Sequence, residues 1–357
     1  MTDVATPERL EQVQAYYGAR LRSSADLRTD ACTTAESPAP RLAAALARVH
    51  PEVLERYYGC GLVAPEAIEG ATILDLGSGA GRDAYTLAQL VGEGGRVIGV
   101  DATREQLAVA RRHLEWHRER FGYARGNVAF VEHDLDHLAT LPLEAGSVDV
   151  AVSNCVFNLL RDKGAAFRQV HRLLRAGGEF YFSDVYADRR LPRALLDDPE
   201  LVGECLAGAL YWNDFLALAR AAGFGDPRLV TSRRLGIRDD RIAARLAPAR
   251  FYAATWRLFK LEGLEPACED YGQAVRYHGG IPGAEALVHL DGHHPFEAGK
   301  IVPVCGNSWR MLAETRLARW FSCFGDTTRH YGIFAGCGTS LPFAESGGEA
   351  PAAGACC

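Results

Sequence analysis

The chain has no apolar run near the ~18 residues that a membrane-spanning helix requires, so no membrane partner is expected. It also has no excess of positive charge. Its 39 Lys and Arg stand against 45 Asp and Glu, a formal net charge of −6. Nucleic-acid binding needs clustered cations to meet phosphates, so no nucleic-acid partner is expected either. The first residues carry no apolar core after a basic start, which argues against a secretory leader. There are no internal repeats, no Cys-x-x-Cys pair and no Cys/His spacing of a zinc finger, although the chain holds 10 cysteines. Together these absences point to a cytoplasmic, soluble monomer. In a reducing compartment such thiols are more often ligands or catalytic groups than structural bridges.

What is present is globular: 48% hydrophobic and 24% charged residues over 357 positions, enough for two or three units. The spacing predicts a helix near 41–49, bracketed by Pro38, Pro40 and Pro51. From about 71, short apolar runs alternate with amphipathic stretches. Strands are predicted at 72–76, 96–101, 127–132, 148–153 and 178–184, with helices at 83–91 and 105–114. This alternation predicts a parallel α/β sheet. Four segments follow: an N-terminal helical extension over 1–60, a sheet domain over 61–235, a smaller α+β domain over 236–340 and a flexible tail over 341–357. The run 254–259 reads as a strand of that smaller domain.

The stretch Asp75–Gly81 joins the first strand to the first helix of the sheet and carries Gly77, Gly79 and Gly81. Glycines there let the backbone turn tightly and come close to a ligand. Asp101 ends the next strand, where a carboxylate can accept from ribose hydroxyls. The spacing is G-x-G-x-G, not the G-x-G-x-x-G of dinucleotide enzymes. Asp75 would repel a pyrophosphate but attract a cationic amino-acid tail. The string 171–184 resembles the late strand-and-turn motif of class I methyltransferases, and with the loop this resemblance implies a Rossmann-like doubly wound sheet that binds S-adenosylmethionine. Ser78 and Asn154 complete the expected cofactor set.

Cys32, Cys60, Cys155 and Cys205 lie at element ends or in loops, where functional residues concentrate. Soft thiolates select thiophilic acceptors. Three thiolates on trivalent arsenic would leave its lone pair free to face a methyl donor, and the protein's task would then be positioning.

The strings 57–63, 73–83, 152–159, 177–192 and 203–212 resemble motifs of the arsenite S-adenosylmethionine methyltransferases, and 255–260 resembles the start of that family's C-terminal domain. The resemblance implies that Cys60, Cys155 and Cys205 bind trivalent arsenic. It implies that Cys32 exchanges disulfides with Cys60, and that thioredoxin or glutathione restores the thiols. Arsenite and methylated trivalent arsenicals are the implied substrates, and detoxification the implied role. Ala84, Ala102, Asp134 and Phe157 depart from the family pattern, and Phe157 is expected to bias the choice of arsenical. The alternatives are a small-molecule C- or O-methyltransferase of the quinone-biosynthesis type, or a non-enzymatic thiol protein that sequesters arsenic. Trp212 and Trp256 are expected to be packing residues, and His293 and His294 turn residues.

Overall fold

The structure is a computed structural model that describes residues 39–57, 59, 61, 63–196 and 198–337. The expectations for Cys32, Cys60 and the tail 341–357 fall outside the described residues.

The apolar runs form one mixed sheet. Its strands are β1 (Thr72–Leu76), β2 (Arg96–Asp101), β3 (Val128–Glu132), β4 (Val148–Asn154), β5 (Leu174–Ala187), β6 (Leu210–Tyr211), β7 (Arg228–Arg234) and β8 (Phe251–Phe259). The order is β3-β2-β1-β4-β5-β8-β7, with β6 paired to β5. β1 to β5 are parallel, and β8 runs antiparallel to both β5 and β7. Parallel strands covered on both faces read as near-continuous apolar runs, which is why 72–76 and 148–153 were legible. Alternate residues then serve opposite faces. Ile73, Val150 and Val152 pack with Leu87 and Leu107 on one side, whereas Leu74, Leu76 and Ala151 pack with Phe167 and Val170 on the other. Helices Arg82–Val91 and Arg104–Arg112 cover the first face, and Lys163–Leu173 the second.

The domain boundary expected at 235 is corrected. β8 pairs with β5 from Glu179↔Phe259 to Ala187↔Phe251. The run 254–259 therefore closes the first sheet and does not open the second domain. Its burial on both faces hid this, because a buried central strand looks the same in either sheet.

Beyond 259 the chain forms a smaller α+β unit. Ala274–Tyr277 pairs antiparallel with Ile301–Pro303 and Phe321–Phe324, and helix Gly306–Ala313 packs beside them. Its core, with Val275, Tyr277, Phe296 and Met311, also takes in Ala67 and Phe259, so the two units share apolar contacts. Arg257 joins them as well. Its buried guanidinium bonds Glu179 at 2.5 Å, Glu66 at 2.6 Å and the Leu290 carbonyl at 2.9 Å, and Arg316 pairs with Glu179 from the C-terminal side. Buried charges persist only when paired in this way.

Among the described residues no helix is long and apolar enough to cross a membrane. The strand order reverses at β1, with β2 on one side and β4 on the other. In open α/β sheets, ligands bind beyond the carboxyl ends of the strands at such a reversal.

Candidate active site

A cavity opens at that reversal, lined by the loop after β1, the ends of β2 and β4, and Asp134 to Asp136 after β3. After Leu76 the chain turns through Gly77, Gly79 and Gly81 with φ of +77°, +52° and +93°, a region that only glycine enters freely. A Cβ on Gly77 would lie 2.2 Å from Val156 Cγ2, so the loop could not pack against β4 with any other residue. A Cβ on Gly79 would meet nothing within 4 Å, because that residue faces the open cavity.

The carboxylates around the loop set its electrostatics. Asp101 accepts from the Gly79 N–H at 2.9 Å and the Thr103 N–H at 2.7 Å. Burial raises its pKa, and those bonds offset the rise only in part. Asp75 is buried, and its pKa stands well above the ordinary value, first from desolvation, then from the charges of Asp83 and Asp101. Its Oδ2 and the Ser78 hydroxyl have no hydrogen-bond partner among the described residues. Buried polar atoms are normally satisfied. This cradle thus has an anionic acceptor, a hydroxyl and open space, and it lacks a cationic donor. The amino-acid tail of S-adenosylmethionine fits that deficit, and Asp101 keeps lone pairs for a ribose.

Asn154, at the end of β4, ties the loop to the segment before the sheet. Its Nδ2 lies 2.7 Å from the Tyr57 hydroxyl, 2.7 Å from the Gly61 carbonyl and 2.8 Å from Asp83 Oδ2. The Tyr57 hydroxyl donates to the Gly61 carbonyl at 2.6 Å. The Arg82 guanidinium stacks on the Tyr57 ring, 3.1 Å from its centroid, and bonds Asp83 at 2.9 Å. Sequence reasoning assigned no role to Tyr57, Arg82 or Asp83. Arg82 and Asp83 stood in the glycine-loop string, but a Tyr 25 positions before Arg82 carries no local signal.

Cys155 follows Asn154 and lines the cavity. Cys205 follows helix Pro199–Gly203 and is fully buried in one apolar cluster with Cys155, Val185, Leu201 and Leu206. Both cysteines hold φ at +58°. Non-glycine residues in this region are uncommon, and they cluster at functional sites. The Cys155 N–H donates to the Ser183 carbonyl at 2.8 Å, and the Cys205 thiol donates to the Cys155 carbonyl at 3.5 Å. Asn158 braces the pair, its Nδ2 bonding the Val185 carbonyl at 2.7 Å and the Cys205 carbonyl at 3.3 Å. Asp184 in turn accepts from the Asn158 N–H at 3.1 Å and the Val185 N–H at 2.8 Å, and burial raises its pKa to about 7. Asn158 and Asp184 were not expected as site residues. Asp184 ended the late motif, yet only its burial reveals its role.

The structure thus brings together Asp75, Gly77, Ser78, Gly79, Gly81, Asp101, Asn154, Cys155 and Cys205, whereas Cys32 and Cys60 lie outside the described residues. Cys155 is disulfide-bonded. Two expectations are corrected. Phe157 is buried against Phe167, Phe180 and Phe182 in the sheet core, so its ring packs away from the cavity. Trp212 is 47% exposed and is no core residue, whereas Trp256 is buried as expected.

Comparison with known proteins agrees with this geometry. A methyltransferase domain model matches residues 68–223, and an arsenite methyltransferase C-terminal domain model matches 271–340. An arsenite methyltransferase of Aquipseudomonas alcaligenes is 58% identical over 97% of this chain and 99% of its own. The Homo sapiens arsenite methyltransferase is 43% identical over 90% of this chain and 85% of its own. The crystal structure of an arsenic (III) S-adenosylmethionine methyltransferase from Chlamydomonas reinhardtii superposes with a TM-score of 0.81 at 47% identity, covering 84% of this chain and all of that one. With the reversal-point cavity, the unsatisfied Asp75 and the paired cysteines already placed, these likenesses establish that the chain belongs to the arsenite methyltransferase family.

Proposed function

We propose that this chain methylates trivalent arsenic, and that Cys60, Cys155 and Cys205 hold the arsenic while the loop from Asp75 to Gly81, with Asp101 and Asn154, holds the methyl donor. The observation that carries the reading is the convergence of Cys155 and Cys205. They stand 50 positions apart, share a left-handed backbone, and meet through a thiol–carbonyl bond beside the cavity.

S-adenosylmethionine, when bound, supplies an electrophilic methyl on a sulfonium. The chain's residues do the rest. Asp75 and Ser78 take the amino-acid end, and Asp101 the ribose. Asn154 fixes the loop against the strand that carries Cys155. Arsenite exchanges its hydroxyls for thiolates, releasing one water per As–S bond formed. Once the arsenic lone pair has taken the methyl, arsenic has been oxidised by two electrons. Two thiols return them and close one disulfide, and thioredoxin or glutathione reduces it by thiolate attack through a mixed disulfide. The disulfide at Cys155 accords with a site whose thiols cycle, and reduction must precede arsenic capture. Cys32 is proposed to exchange with Cys60.

The test is an assay of the reduced chain with arsenite, S-adenosylmethionine and glutathione. Methylated arsenic is expected. Its absence, together with unchanged arsenite affinity in Cys155→Ser and Cys205→Ser, would overturn the reading. For the redox cycle, Cys32→Ser is expected to slow turnover on arsenite and to spare methylated trivalent arsenic. Equal loss on both substrates would count against it.

A further inference from the structure

A second cavity lies where the sheet domain meets the C-terminal unit, lined by the apolar Leu216, Leu229, Trp256 and Pro266, by the charged Asp226, Arg228 and Asp291, and by Cys268 and Cys337. Three thiols converge there from distant positions. The Phe334 N–H donates to the Cys268 carbonyl at 2.7 Å, and the Cys337 N–H to the Phe334 carbonyl at 3.3 Å, which lays the end of the described chain along Cys268. The Cys268 thiol is in hydrogen-bonding contact with both Cys305 and Cys337. Cys305 is buried at the N-cap of helix Gly306–Ala313. Its sulfur lies 3.4 Å from the Ser308 hydroxyl and 3.9 Å from Arg228 Nη2. None of the three is in a disulfide.

The surroundings favour a thiolate at Cys305. The Cys268 thiol bonded to it, then the Arg228 cation and Ser308, hold its pKa below the usual thiol range despite burial. A helix N-terminus and a nearby arginine are the settings that activate cysteines. Arg228 also meets Asp226 at 2.7 Å and Asp291 at 3.1 Å, so its charge is fixed in place but shared.

The geometry also narrows the ligand. Among the described residues these thiols do not form a set of three or more ligands close enough to enclose a metal ion. A structural zinc site closes on four ligands. Cys268 instead lies between the other two thiols, and a largely apolar recess opens beside it. A trivalent arsenical with one carbon substituent has two exchangeable oxygens and one apolar group, which matches a dithiol whose outer member, Cys268, lines such a recess while Cys305 lies buried behind it.

We propose that Cys268 and Cys305 form a second arsenical site, separate from the methyl-transfer cavity, that binds monosubstituted trivalent arsenicals, R–As(OH)₂, with R in the apolar recess and Cys337 as the thiol of first capture. The Cys268 S–H bond and two As–O bonds break, two As–S bonds form, and with one proton from solvent to match the Cys305 thiolate two waters leave. Arsenic stays trivalent throughout, so no oxidant or reductant takes part. Cys337 exchanges first and Cys268 displaces it, as in thiol exchange at any soft centre. The site would hold a singly methylated product apart from the donor cavity.

The inference rests on the arsenical reading above, and its test separates the two. The reduced full chain is loaded with phenylarsine oxide, gel-filtered without oxygen, and analysed for arsenic per chain and for adduct mass on its peptides. An adduct bridging the peptides of Cys268 and Cys305 is expected, together with one more bound arsenic than in Cys268→Ser/Cys305→Ser. That variant is expected to keep its S-adenosylhomocysteine binding and its methylation of arsenite. Equal stoichiometry in the two chains, or no adduct at Cys268 and Cys305 in the unmutated chain, overturns the proposal. The peptide measurement stands even where the double variant does not fold. In Cys155→Ser/Cys205→Ser the bridged Cys268–Cys305 adduct must persist. Adducts still found at the substituted site's remaining thiols bear on the earlier reading alone.

Discussion

The two ends of the catalytic cavity are built on different principles. The donor end is local. Gly77 to Gly81, Asp75 and Asp101 lie within 27 residues of one another and are joined by backbone bonds such as Gly79 N–H to Asp101. The thiol end is assembled. Cys155 and Cys205 come from separate turns, and Asn158 and Asp184 beneath them come from a third and a fourth position. On the proposed reading, the local end binds donor whatever the state of the thiols. The assembled end depends on redox state and on packing between segments. The two should therefore fail independently, and each prediction below tests that independence.

The largest effect is expected at the thiols. Cys205→Ser removes a soft ligand and leaves the donor loop untouched. Arsenite methylation is expected to fall by roughly 100-fold or more, since each tenfold loss corresponds to ~1.4 kcal/mol of lost stabilisation. S-adenosylhomocysteine affinity by calorimetry should stay unchanged. A parallel loss of donor affinity would mean the two ends are one unit.

The converse variant is Asp75→Asn. A charge-assisted hydrogen bond contributes ~1.5–3 kcal/mol, so donor affinity is expected to fall about 10- to 100-fold. Arsenite binding should be unaffected. Asp75 also carries a pH signature. Its raised pKa means that the unliganded carboxyl takes up a proton more readily than an ordinary Asp, and a bound ammonium group opposes that uptake. Donor affinity should therefore rise with pH until Asp75 is ionised in the free chain, and the Asn variant should lose that dependence. Calorimetry in buffers of different ionisation enthalpy reads the released proton directly.

Gly77→Ala is expected to couple the ends. The new Cβ would sit 2.2 Å from Val156, the neighbour of Cys155, at a residue with φ of +77°. Overpacking and backbone strain together cost ~1–3 kcal/mol. A lowered Tm, with both donor affinity and arsenite affinity reduced, is the expected result. A change confined to donor affinity would show that Val156 yields without moving Cys155.

The same contrast explains what was legible in the sequence. The donor loop was readable because its glycines sit in one string between a strand and a helix, with Asp75 just before it and Asp101 at the end of the next strand. The thiols were found through the family resemblance, since no spacing relates Cys155 to Cys205. Tyr57 and Asn158 had no local signal, because their partners come from other segments. Phe157 was misread for the same reason. The turn after β4 carries Cys155 at the cavity, yet two residues later it sends a phenyl ring into the core. β8 was assigned to the wrong sheet because the pairing partner of a buried strand is a tertiary fact that its own residues do not state. No spacing in the sequence relates Cys268, Cys305 and Cys337, and only the fold shows them meeting.

The smallest predicted effect tests the assembled end without touching a sulfur. Asp184 holds Asn158, and Asn158 holds Cys205. Burial raises the Asp184 pKa to about 7, against ~3.9 for an unfolded Asp. The folded state then binds a proton at Asp184 that the unfolded state has released. That contribution to stability is fully present below pH ~4 and is lost as pH rises through about 7. Asp184→Asn removes the titration and keeps one acceptor oxygen, so it retains only one of the two N–H bonds, because Asn158 uses Oδ2 and Val185 uses Oδ1. The decline of Tm between about pH 5 and pH 8 should therefore be shallower in the variant than in the parent. An equal slope would mean that Asp184 is ionised in both folded and unfolded chains across this range. Because Asp184 braces only the thiol end, donor affinity should match the parent at every pH in the series. Any departure would show that the late strand transmits strain from the cysteines to the glycine loop.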